Sequence, residues 1–252
     1  MYLIWHGTAS IEIVGGEGRI LFDPFVPLKG SNVDVDIAEY DGFTDIFVTH
    51  GHVDHISDIP RIVKRTPNVH VYCTRTPWNT LRNKGVPTEN MTCIAYGDIL
   101  HVKGFTITAL HGRHAVLPRL TKERLMSWIH SPFRKNIIHL FKENLVCKEN
   151  DETVFYLVEA EGKTIAVMGS LNLREDVEYP RNMDLLVLPY NGWEDNYPPA
   201  IEVIERLKPK KAMLDHYDDT FPPLTTEIDT KRIIETYQGM VERLGLRKKI
   251  EI

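Results

Sequence analysis

Between an apolar, strand-like run at Asp45–Thr49 and a helix-like run at Ile56–Lys64, the chain places Thr49-His50-Gly51-His52-Val53-Asp54-His55. Three imidazoles and a carboxylate within six residues are costly to hold together unless they share a cation or face solvent. His50 closes the strand, and His52, two residues on, can project to the same side. Asp54 and His55 fall where the helix begins and can turn toward a second position. Neutral imidazole with carboxylate is the donor set of zinc, with manganese or iron as other occupants. The plainer alternative is a polar loop in which Asp54 caps the helix. For one histidine that alternative would win; for this density of donors directly behind an apolar strand, a metal site is the better reading.

The rest of the chain supplies a frame for such a site. Apolar or alternating runs at Tyr2–His6, Ser10–Val14, Arg19–Asp23, Val69–Cys73, Phe105–Leu110, Thr153–Glu159, Thr164–Met168, Asp184–Leu188 and Lys211–Asp215 predict strands. Gly15-Gly16-Glu17-Gly18 marks a hairpin turn. Helical spacing predicts helices at Trp78–Asn83, Leu120–Ser127, Arg134–Cys147, Pro199–Leu207 and Glu227–Leu244, the last closed by Gly245. Strands precede helices in each half, as two sheets covered by helices require. At 252 residues the chain can bury a core without disulfides, and its three widely spaced cysteines fit a reducing compartment. No leader-like or membrane-spanning segment is visible, so a cytoplasmic protein is expected. The net charge of −5 argues against a nucleic-acid partner.

His50-x-His52-x-Asp54-His55 resembles the signature of the metallo-β-lactamase-fold hydrolases. Other segments match in order. Trp5-His6-Gly7-Thr8-Ala9-Ser10 and Ile20-Leu21-Phe22-Asp23-Pro24 resemble early strands of the branch that includes ascorbate-phosphate lactonases. Leu207-Lys208-Pro209-Lys210 through Asp215-His216-Tyr217-Asp218 resembles the late strand that delivers the last histidine. The resemblance implies an α/β fold, a four-layer αββα sandwich, forming one domain over residues 1–252 with a helical basic insertion at about 113–150. It implies one metal on His50, His52 and a third histidine, for which His111 is preferred to His114, and a second metal on Asp54, His55 and His216. Asp54 would also orient the attacking water. One departure matters: Ser170 in Met168-Gly169-Ser170 stands where the family usually has a bridging Asp. Two cations would then share one carboxylate, Asp54, unless Asp218 or Asp219 compensates.

The implied activity is metal-dependent hydrolysis by a zinc-bound hydroxide, on one or two zinc ions, of an ester, lactone or phosphodiester. A non-catalytic metal-binding protein and an iron-dependent oxidoreductase are the alternatives. Residues 113–148 carry eight Lys and Arg against Glu123 and Glu143, leaving the remainder at −11. Ile137, Ile138, Phe141 and Leu145 could pack that segment on the sandwich as a cap. Arg134 and Lys135, with His114, would then meet a small anionic substrate. Homo-oligomerisation is left open by the sequence.

Overall fold

The computed structural model describes residues 1–116, 126, 128 and 130–252. Its strands are β1 Tyr2–Trp5, β2 Ile11–Gly15, β3 Gly18–Phe22, β4 Asp45–Phe47, β5 His70–Cys73, β6 Met91–Cys93, β7 Ile99–Val102, β8 Phe105–His111, β9 Val154–Ala160, β10 Lys163–Met168, β11 Leu185–Pro189, β12 Ala212–Asp215, β13 Val241–Arg243 and β14 Lys249–Glu251. Among the described residues these form two seven-stranded sheets, ordered β14-β1-β2-β3-β4-β5-β6 and β13-β12-β11-β10-β9-β8-β7. The sheets share one plan. In the first, β14, β1, β2 and β3 join antiparallel, and β3 to β6 join parallel. In the second, β7 to β10 are antiparallel and β10 to β13 parallel.

The sheets meet through large apolar side chains. Tyr156 of β9 lies 5.5 Å from the Phe22 ring and 5.8 Å from the Phe47 ring. Its hydroxyl donates to the Val48 carbonyl at 2.8 Å, so the one polar atom of this contact is satisfied. Helices α1 Val53–Ile56, α2 Ile59–Arg65, α3 Arg75–Asn83, α4 Arg134–Asn144, α5 Tyr197–Leu207 and α6 Lys231–Thr236 complete the αββα sandwich. Helix α5 shows why such an element forms. It starts with prolines in its first turn, buries Ala200, Val203, Ile204 and Leu207 along one stripe, and ends at Lys208 in a left-handed conformation.

Three expectations change. The helix at Glu227–Leu244 is confined to α6: Gly239, at φ +82, turns the chain, and Val241–Arg243 pairs with β12 instead. Apolar spacing there is helical, but the free sheet edge takes the segment, so Gly245 closes no helix. Second, α4 packs by another face. Leu140 and Cys147 are buried, whereas Ile138, Phe141 and Leu145 are 59%, 68% and 62% exposed. Asn136 donates to the Lys29 and Pro222 carbonyls, and Lys84 pairs with Glu143 at 2.5 Å, fixing that orientation. Third, β6, β7 and β14 appear where no strand was expected. The helix expected at Leu120–Ser127 lies outside the described residues except for Met126.

Candidate metal centre

Every donor of the site follows the carboxyl end of a strand, on the side of the sheets where α/β folds collect their ligands. His50 and His52 leave β4 through Val48-Thr49, and Asp54 and His55 ride on the single turn of α1. His216 follows β12 directly, and His114 sits in the segment leaving β8. Glycine is required between the first two histidines, because a Cβ at Gly51 would lie 1.9 Å from the Lys148 carbonyl oxygen. His216 and Asp23 hold φ of +55 and +44, left-handed values that a non-glycine residue adopts at a local cost.

Two trios result. Donor atoms of His50, His52 and His114 all lie within 4.8 Å of one another, as do those of Asp54, His55 and His216. In the first, His50 Nε2 is 3.1 Å from His52 Nδ1, and the His114 ring stands 4.5 Å from that of His52. In the second, Asp54 Oδ2 is 3.0 Å from His216 Nε2 and 3.7 Å from His55 Nε2. The His50 and His55 rings are 3.8 Å apart, so the trios adjoin.

Outer contacts aim the rings. His55 Nδ1 donates to Asp23 Oδ2 at 2.8 Å, which turns Nε2 inward. Asp23 is held in turn by the Thr49 amide at 2.8 Å and the Thr49 hydroxyl at 2.5 Å. His114 Nδ1 donates to the Ala115 carbonyl at 2.7 Å, leaving its Nε2 free.

Electrostatics divides the trios. Burial pushes His50 well below the usual imidazole range, and the neighbouring imidazoles add to it. His52 falls to about 4 by burial and the nearby His114, and burial lowers His114 as well. These rings are neutral at pH 7, with lone pairs available to a cation. In the second trio burial works against charge, but carboxylates outweigh it. Asp23 and Asp54 raise His55, and Asp54 raises His216 to about 9. Burial opposes ionisation of Asp54, yet His55 and His216 hold its carboxyl well below the usual range. Three convergent neutral imidazoles beside a carboxylate with two more imidazoles are donor chemistry that fits divalent metal ions.

The placement of His111 corrects the sequence expectation. Strand β8 runs through it, and its ring stacks on Tyr96 at 3.9 Å with Nε2 3.1 Å from the Asp151 carbonyl oxygen. His114 takes the third position instead, because the chain turns inward after β8. Ser170 and Asn172 hold that turn: the Ser170 hydroxyl accepts from the Ala115 amide at 3.0 Å, and Asn172 Nδ2 donates to the His114 carbonyl at 3.0 Å. The residue at the usual bridging position thus grips the loop carrying the third histidine. Asp218 does not replace that bridge. It is buried, its Oδ2 accepts from the Thr8 amide and hydroxyl, and it joins neither trio. Asp219 accepts from Thr225.

Both trios open on one cavity of about 700 Å³. Trp128, Leu140 and Asn144 of the insertion line it, but Arg134 and Lys135 are exposed and stand outside its wall. They stand outside because α4 turns Leu140 inward and its first-turn cations outward. The sequence reading also passed over Asp23, whose signal was an acid directly behind the apolar strand β3.

The sequence model of the β-lactamase superfamily domain matches residues 18–217, and the chain belongs to that superfamily. A UPF0173 metal-dependent hydrolase of Alkaliphilus metalliredigens is 26% identical over 94% of this chain and 95% of its own. A relative with the same description, from Sulfurisphaera tokodaii, is 28% identical over 86% of this chain and 84% of its own. Among solved structures, a metallo hydrolase of the archaeon Ignicoccus hospitalis superposes with a TM-score of 0.69 at 16% identity, covering 100% of this chain and 98% of that one.

Proposed function

We infer that this metal-dependent hydrolase cleaves an ester, lactone or phosphodiester bond with water activated between the two trios. The observation that carries the reading is the convergence of both trios on one cavity. A bound zinc ion, or a manganese or iron ion in its place, supplies an acidified water and a Lewis acid that polarises the scissile group. The residues do the remainder. His50, His52 and His114 present neutral donors on one side, while Asp54, His55 and His216 present a charged set on the other. Asp54, within hydrogen-bond reach of His216, also accepts from and orients the water. Asp23 fixes His55, and Ser170 with Asn172 fixes His114.

Metal analysis of the purified protein, combined with an esterase, lactonase and phosphodiesterase panel, tests this. Metal-dependent turnover of at least one class, abolished by a chelator and restored by zinc, is the expected result. Protein that holds metal on these residues yet turns over no class would overturn the hydrolytic role.

A further inference from the structure

We propose that the cavity selects an uncharged substrate bearing an aromatic or branched apolar group beside its scissile bond; this deepens the hydrolase reading and rests on it. The cavity lining holds two chemically distinct sets of residues. One is polar: the donor trios with Ser170 and Asn191. The other is apolar: Trp128, Leu140, Trp193, Phe221, Leu224 and Ile228, here called the wall.

The apolar wall comes from three separate parts of the chain: the insertion, the loop after β11 and the loop after β12. Its aromatic members are held in place. Trp193 Nε1 donates to the Leu171 carbonyl at 2.8 Å, and its amide donates to Asn196 Oδ1 at 3.0 Å. With the indole N–H engaged, the ring offers the cavity apolar surface only. Phe221 packs edge-on against Phe25 at 5.7 Å, and its amide donates to the Thr225 hydroxyl at 2.8 Å. Both side chains are half-buried, as are Trp128, Leu224 and Ile228. A ligand ring would remove that remaining apolar surface from water, the main source of affinity in such pockets.

Charge points the same way. Among the described lining residues there is no Lys or Arg, and the acids are Asp54 and Glu194. Among those described residues a carboxylate or phosphate remote from the metal meets no Lys or Arg, and Glu194 would repel it. Recognition of such groups rests on Arg or Lys forks, which are not among the described residues of this wall. A neutral carbonyl needs no such partner; it meets the metal donors, and its apolar group meets the wall.

Two measurements on the zinc-loaded protein test the inference. The first compares kcat/KM for 4-nitrophenyl butyrate and 4-nitrophenyl hemisuccinate, which share a leaving group and differ in one carboxylate. The neutral ester should be preferred by about tenfold or more. The second titrates the protein calorimetrically with 2-naphthamide, a neutral aryl probe requiring no turnover. It should bind, and Leu224→Ala and Phe221→Ala, each checked for folding by circular dichroism, should weaken it by about tenfold. Turnover favouring the hemisuccinate, or naphthamide affinity unchanged in both folded variants, overturns the inference and leaves the hydrolase reading intact. Naphthamide binding at the wall without turnover of any bond class would instead overturn the hydrolase reading and leave only an apolar binding subsite.

Discussion

His50, His52 and His114 form a trio of imidazoles alone, whereas Asp54, His55 and His216 surround a carboxylate, and the two respond oppositely to protons. The first is desolvated among its own kind, so its rings stay neutral through the physiological range. The second gathers protons, because Asp54 and Asp23 stabilise charged imidazoles beside them. A cation entering the first trio displaces solvent; one entering the second must also displace protons. At pH 7, a ring whose pKa is raised to about 9 costs a few kcal/mol to deprotonate. The first trio should therefore fill first. Asp54 draws a cation toward the second trio, but it is the one carboxylate in either donor set, because Ser170 stands where a bridging Asp would add another.

The sharpest way to break this comparison is to remove the third imidazole. His114→Ala should eliminate the tighter metal and lower kcat by more than about a hundredfold, since loss of a ligand exceeds the effect of an outer partner. His111→Ala should keep full metal content by elemental analysis. The reverse pattern would return His111 to the site.

Next in size is Asp23→Asn. Its carboxylate orients His55 from outside the trio, so zinc affinity of the second trio should drop by about ten- to a hundredfold. The first trio, which Asp23 reaches only through Thr49, should change less in competition titrations with a chelating dye. Equal losses at both would show that the trios are one coupled site rather than two.

The smallest effect is on stability. In the metal-free protein His216 stands at about 9 and Asp215, raised by burial, at about 8. Both values lie above those of an unfolded chain, so the folded state holds more protons. Stability from His216 is complete below about pH 6.5 and disappears as pH rises through 9; that from Asp215 is lost between about pH 4 and 8. Thermal melts in a chelator should accordingly fall by several degrees from pH 6.5 to 9. Saturating zinc should flatten or invert the trend, because zinc replaces the protons on His55 and His216. An equally steep fall with zinc bound would mean that the second trio stays empty.

Much of this arrangement was legible in the sequence, for reasons that also mark where legibility stops. His50, His52, Asp54 and His55 are set by local geometry, a strand end and one helical turn, so spacing reveals them. His216 was marked by its strand and by the family pattern around it. His114 was chosen over His111 by contacts distant in sequence, from Ser170 and Asn172, and neither periodicity nor motif encodes these. The same holds for Val241–Arg243, where a parallel partner in β12 overrode a helical pattern. The α4 face was misjudged because Ile138, Phe141 and Leu145 are as apolar as the inward Leu140. What separates them is the anchoring of Asn136 and Glu143 by distant partners.

Each trio draws two residues from the first half of the sandwich and one from the second: His50 and His52 with His114, Asp54 and His55 with His216. Neither half owns a complete site. An ion seated in either trio is therefore a cross-link between chain segments distant in sequence, present in the folded protein and absent from the unfolded one. At about a thousandfold excess of free metal over its dissociation constant, that linkage adds about 4 kcal/mol to the folded state. Metal supply would then govern how long the chain survives proteolysis as well as how fast it turns over, and starvation for the ion would deplete the protein itself.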